Sequence, residues 1–157
     1  MLLRRVRRTR KGNYELRLPD AERRLLAALV PQLRAVLTED AGTAADPNLR
    51  RLFPTAYPDE PALDREYRGL VSDDLLARRL AALDTVIETV DATRLDEEQL
   101  LAWMGAVNDL RLVLGTRLDV SEETDLALRP DDPDSDSLAV YAYLGHLLES
   151  IVMALSG

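Results

Sequence analysis

Apolar residues recur every three or four positions along most of this chain, the spacing of helices that each bury one stripe. The clearest run predicts a helix over about residues 97–118. Asp96 and Gln99 fit a capping box, with Asp in place of the usual Ser or Thr. Leu100, Trp103, Met104, Val107, Leu110, Leu114 and Leu118 then form the stripe. An earlier helix opens after Pro19, with Asp20 as its predicted N-cap. Leu25, Leu26, Leu29, Leu33, Val36 and Leu37 make its apolar face. Pro31 lies inside it and is expected to kink or split it, because proline removes a ladder donor.

Residues 60–91 read as two consecutive helices. The first carries Leu63, Tyr67 and Leu70, and the second Leu75, Leu76, Leu80, Leu83, Val86, Ile87 and Val90. The expected break is at Gly69 and Ser72, with Ser72 capping the second helix. A last helix over about 137–155 is apolar around most of its circumference, which suits a core element or a subunit interface.

Residues 2–18 lack helical spacing. Short apolar and charged alternations surround Lys11-Gly12-Asn13, whose Gly and Asn tolerate the positive φ of a tight turn. A two-stranded hairpin is predicted. Residues 39–59 form a connector with one short turn over Pro47–Leu52, stopped by Pro54 and Pro58, and residues 120–137 an acidic loop. The fold expectation is therefore mainly α. A single domain over 1–157 comprises a basic β-hairpin arm at 1–18 and a bundle of about five helices at 19–157.

With 157 residues the chain can bury a core without covalent staples. Its lack of cysteine excludes thiolate nucleophiles, redox pairs and thiolate-bound metals. His146 is the single histidine, which argues against a multi-histidine metal site or a Ser-His-Asp triad. No cofactor is expected. Arginines interrupt any signal-like apolar segment, and His146 and Glu149 interrupt the most apolar stretch, so the expected location is the cytoplasm, away from membranes.

Charge is unevenly spread. The net charge is -8, yet residues 1–24 hold nine basic side chains against three acidic ones. Arg4, Arg5, Arg7, Arg8, Arg10 and Lys11 are candidates for neutralising nucleic-acid phosphates, which arginine's planar fork suits. The same arm could dock on the acidic body of a second copy, or be one solvated face of a hairpin. Asp131, Asp132, Asp134 and Asp136 have the alternate spacing of a calcium loop, but Ser137 stands where Gly is required and Tyr143 where Glu is. The pairs Asp73-Asp74, Glu97-Glu98 and Glu122-Glu123 sit near helix starts, where the dipole favours negative charge. His146 and Glu149 share one side of the last helix, as a polar stripe or an interfacial pair.

Asn108, Asp109 and Arg111 interrupt an apolar helix, flanked by Gly105 and Gly115. A mid-helix glycine costs about 1 kcal/mol relative to Ala, so a close approach is expected there. One reading is a structural polar network of Arg51, Tyr57, Trp103, Asn108, Asp109, Arg111 and Arg117 that holds the connector against this helix. The other is a small anion or ligand site.

The segments Arg51-Leu52-Phe53-Pro54-Thr55-Ala56-Tyr57, Glu66-Tyr67-Arg68, Ala102-Trp103 and Asn108 through Leu118 resemble an actinobacterial family of unknown function. Its members are typically encoded beside the protease adaptor ClpS, and one branch is the actinomycetes oxidative stress regulator, AosR. The resemblance covers about residues 3–155. It implies a regulatory protein rather than an enzyme. In that branch a cysteine pair on one helix senses oxidant and adjusts transcription. This chain has no cysteine, so a thiol switch cannot operate in it. The expectation is a non-enzymatic cytoplasmic regulator with a protein partner and DNA contacts. The alternative is a structural adaptor, linked to the ClpS pathway, or a homodimer formed through the C-terminal helix.

Overall fold

The computed structural model describes residues 4–39, 61–118 and 135–157. The elements are β1 (Val6–Arg8), β2 (Tyr14–Leu16), α1 (Asp20–Glu39), α2 (Pro61–Thr89), β3 (Arg94–Leu95), α3 (Glu97–Arg117) and α4 (Ser135–Ser156). Four helices thus stand among the described residues, where about five were expected. The connector with its turn at Pro47–Leu52 lies outside them, as does the acidic loop up to Asp134.

The hairpin turns at Thr9–Asn13. Thr9 N–H donates to the Asn13 carbonyl at 2.8 Å and Gly12 N–H to the Thr9 carbonyl at 3.2 Å. Gly12 has φ +86°, a conformation that a side chain disfavours. Val6, Tyr14, Leu16 and Leu18 face inward and are buried. A third strand completes the sheet. β3 pairs antiparallel with β2, giving the order β1-β2-β3. Two residues carry no readable periodicity, so β3 was invisible to the pattern that predicted the hairpin.

The hairpin is docked rather than free. Val6 N–H donates to Ser150 Oγ on α4 at 3.2 Å, and Leu16 N–H to the Thr93 carbonyl at 2.8 Å. Beneath the sheet, Leu26, Leu37, Leu83, Leu100, Trp103, Leu144, Leu147 and Ile151 fill one core. Each fully buried side chain of this size contributes about 1.5–3 kcal/mol.

Three helix expectations change. α1 begins at Asp20 itself, and the Pro19 carbonyl accepts from Glu22 and Arg23 N–H at 3.0 and 3.1 Å. Asp20 therefore adds charge to the first turn instead of capping it. Pro31 does not split α1: its side chain is exposed, while Val30, Leu33 and Leu37 on either side of it are buried. α2 is one helix through Gly69 and Ser72. Both residues keep their N–H, so the ladder runs on at only a modest propensity cost.

The Asp96–Gln99 capping box is present in both directions. Gln99 N–H donates to Asp96 Oδ1 at 2.7 Å, and Asp96 N–H to Gln99 Oε1 at 2.9 Å. On α4, Tyr141, Leu144, Leu147, Ile151 and Ala154 form the buried stripe, whereas Val152 and Met153 are 43% and 51% exposed. By length and composition alone, the 21 residues Asp136–Ser156 are enough to cross a membrane, contrary to the sequence expectation. In the fold that segment packs on α3 and β1 along its buried stripe.

Candidate functional site

The outer face of the sheet gathers the basic residues. The register pairs Arg7 with Glu15, and Glu15 with Arg94, so the three form one row across β1, β2 and β3. Their neighbours alternate inward: Val6 opposes Leu16, and Tyr14 opposes Leu95. Glu15 accepts from Arg7 Nη2 and from Arg17 Nε, each at 2.7 Å. Those two hydrogen bonds hold its carboxyl down to about 2, with Arg17 the larger influence. Arg7, Arg8, Arg10, Lys11 and Arg94 line one shallow concavity of about 450 Å³, with Thr9 and Glu15 completing it.

Two of the candidate arm residues stand apart from that concavity. Arg4 is exposed at the start of the described chain. Arg5 donates from Nε to Glu22 Oε1 at 2.9 Å, which ties the strand to α1. The Tyr143 hydroxyl of α4 lies beside the same two residues. Burial, then the neighbouring Glu22, pushes its phenol well up from the ordinary value.

Arg23 holds the sheet to the helices from below. Its guanidinium donates to the carbonyls of Leu18 at 3.0 Å, Val90 at 2.5 Å, Ala92 at 2.9 Å and Leu16 at 3.2 Å. One side chain thereby satisfies carbonyls from β2, the entry to α1 and the α2–β3 turn.

The polar cluster of α3 divides among different partners. Asp109, 3% exposed, accepts from Arg79 Nη1 on α2. Burial raises its pKa, and Arg79 works against that rise. Arg111 lies over the Tyr141 ring of α4, 5.3 Å from its centroid, a cation–π distance. Trp103 Nε1–H donates to Thr89 Oγ1 at 2.7 Å. A Cβ at Gly105 would meet nothing within 4 Å from the rest of the fold, so no close approach explains this glycine. With Asp109, Arg79, Arg78, Leu75 and Ala82 it lines a hollow of about 210 Å³. A Cβ at Gly145 on α4 would sit 3.7 Å from Arg111 Nε, an ordinary van der Waals contact. Arg51, Tyr57 and the Arg117 side chain lie outside the described residues.

Among the described residues, no group of three or more His, Cys, Asp or Glu could hold a metal ion. Ser137 to Tyr143, part of the would-be calcium loop, is helical. Asp74 pairs with Arg78 at 3.0 Å, and Glu97 and Glu98 occupy the first turn of α3. His146 and Glu149 are both exposed.

A family described as a domain of unknown function, DUF2017, matches residues 3–155. The chain belongs to that family. Among curated proteins, it is 32% identical over 143 residues to the oxidative stress regulator AosR of Mycobacterium tuberculosis strain H37Rv, covering 80% of this chain. It is 35% identical over 144 residues to a putative oxidative stress regulator AosR of Mycobacterium leprae, covering 79% of this chain. The match covers 66% of each relative's length. No solved structure matches the chain.

For this DUF2017 chain, the residues that sequence reasoning missed are Glu15, Arg17, Arg23, Arg79, Thr89 and Arg94. Arg94 joins the basic face only through the pairing of β3, and nothing in its neighbourhood along the chain signals that. Arg79 was one of several charges on a long helix. Its pairing with Asp109 depends on how α2 and α3 pack.

Proposed function

We propose that this chain is a non-enzymatic, cytoplasmic regulatory protein that works by contacting other macromolecules, DNA among them, through the outer face of its sheet. The observation that carries this reading is the concavity lined by Arg7, Arg8, Arg10, Lys11 and Arg94. Clustered guanidinium groups offer paired donors to phosphate oxygens, which favours binding of a polyanion. The names of its relatives, oxidative stress regulators, support a regulatory role. Without cysteine the trigger is a partner, a ligand or the level of the protein itself.

The test is anisotropy of a labelled DNA duplex titrated with the full chain at two ionic strengths. Binding that weakens steeply with salt, and weakens again in Arg10→Ala/Lys11→Ala, is the expected result. No binding at low salt sinks the DNA part of the reading.

A second reading is a homodimer through α4, favoured by the exposure of Val152 and Met153. Light scattering decides it. A dimer dispersed by Met153→Glu supports it, and a monomer at micromolar concentration sinks it.

A further inference from the structure

Glu15 is the one acidic side chain lining the basic concavity, and it is committed twice. Arg7 and Arg17 each give it a charge-assisted hydrogen bond at 2.7 Å, and the register places Arg94 as its cross-strand neighbour on the other side. Directly opposed residues on adjacent strands stand about 4.5–5.5 Å apart at Cβ. The carboxylate is held between guanidinium groups from β1 and from just beyond β2, with Arg94 the residue opposite it on β3. It occupies the place where an incoming anion would gain most.

Taking the proposed DNA-binding reading as its base, we propose that Glu15 is a built-in competitor for nucleic-acid phosphate. The backbone binds by displacing the Glu15 carboxylate from Arg7 and Arg17, with Arg94 as a third contact. No bond is made or broken beyond hydrogen bonds: each guanidinium exchanges one anionic oxygen for another.

The lining of the concavity favours a phosphodiester backbone over an acidic protein. The concavity is lined by Arg7, Arg8, Thr9, Arg10, Lys11, Glu15 and Arg94, with no apolar side chain among them. Protein interfaces of useful affinity centre on buried aromatic or aliphatic anchors, which this face does not offer. The basic side chains also come from β1, the hairpin turn and β3, a spread of positive charge that a repeating polyanion can track. The competitor does not respond to physiological pH, since the Glu15 carboxyl titrates at about 2. Only another anion, or loss of the arginines, releases it.

Glu15 also shields like charges from one another. Its removal leaves Arg7 and Arg17 without their shared counter-charge, so competitor strength and sheet stability are coupled. The variant Glu15→Gln keeps the shape and loses the charge.

The experiment compares wild type, Glu15→Gln and Arg94→Gln by anisotropy on one labelled duplex over a salt series. Poly-glutamate serves as an alternative polyanion, and circular dichroism confirms that each variant is folded. Glu15→Gln is expected to bind several-fold more tightly at low salt, with its log–log salt slope steeper by about one. Arg94→Gln is expected to bind several-fold more weakly, with the slope shallower by about one.

If wild type binds and Glu15→Gln leaves affinity and slope unchanged, the competitor role is overturned while the DNA-binding reading stands. If neither binds at low salt, both fall. Tighter capture of poly-glutamate than of DNA assigns the face to an acidic protein and overturns the proposal. Arg94→Gln keeps the test decisive if Glu15→Gln does not fold, because a wild-type slope in that variant removes the third contact.

Discussion

The indole N–H of Trp103, in the middle of the core, ends on the hydroxyl of Thr89 at the last turn of α2, 2.7 Å away. The same hydroxyl donates back to the Thr85 carbonyl at 2.6 Å. Trp103 is fully buried, so its single polar atom must find a partner inside the protein. Thr89→Val keeps the volume and removes that partner. It is expected to cost about 1–3 kcal/mol, the penalty of a buried unsatisfied donor. Urea denaturation checks this: the midpoint falls and the slope stays constant.

Arg23 is expected to be more costly to replace than its position at the start of a helix suggests. Arg23→Met preserves the aliphatic stem and leaves carbonyls of Leu16, Leu18, Val90 and Ala92 without their donor. A loss of about 2–4 kcal/mol is expected, because the hydrogen bonds are charge-assisted and the site is part-buried. Hydrogen exchange supplies the second readout. Protection falls in the hairpin and β3 before it falls in α4.

The Arg79–Asp109 pair links α2 to α3 through a buried carboxylate. Arg79→Leu strands that carboxylate and is expected to destabilise the protein by about 3 kcal/mol at neutral pH. Burial already raises the Asp109 pKa above its unfolded value, and loss of Arg79 raises it further. A raised carboxylate pKa means that the ionised form is disfavoured in the fold. The deficit is therefore largest above the folded pKa and shrinks as acid protonates Asp109 toward the ordinary carboxylate range of about 4. Thermal melts of the variant between neutral and mildly acidic pH test this, with wild type recorded in parallel.

Gly12 carries φ +86° with open space around it. Gly12→Ala is opposed by backbone conformation rather than by a clash, and is expected to cost about 1–2 kcal/mol. The turn also positions Arg10 and Lys11, so DNA binding should weaken in the same variant. Melting temperature and anisotropy together separate the two effects. Weakened binding with unchanged stability would contradict this account of the turn.

Much of the architecture was legible along the chain, because local chemistry and periodicity specify it. The Asp96–Gln99 box lies within one turn of helix, so short-range hydrogen bonding alone opens α3. The stripe from Leu100 to Leu110 repeats at 3.6 residues, so burial of that face follows wherever the helix packs. The hairpin followed from alternation and from Gly12. The split considered at Pro31 and the break expected at Gly69 with Ser72 did not occur, since packing on both sides of Pro31 and an intact ladder at Gly69 and Ser72 outweigh modest local preferences.

What only the folded molecule decided is which distant residues meet. The order of the residues contains Arg7, Glu15 and Arg94, but a sheet register is needed to set them in one row. It contains Asp109, but only the packing of α2 on α3 assigns it to Arg79. The physical reason is that helices and turns are made by neighbours within a few residues. Cross-strand pairs and buried ion pairs are made by elements tens of residues apart, and the chain shows their partners only once the core has closed.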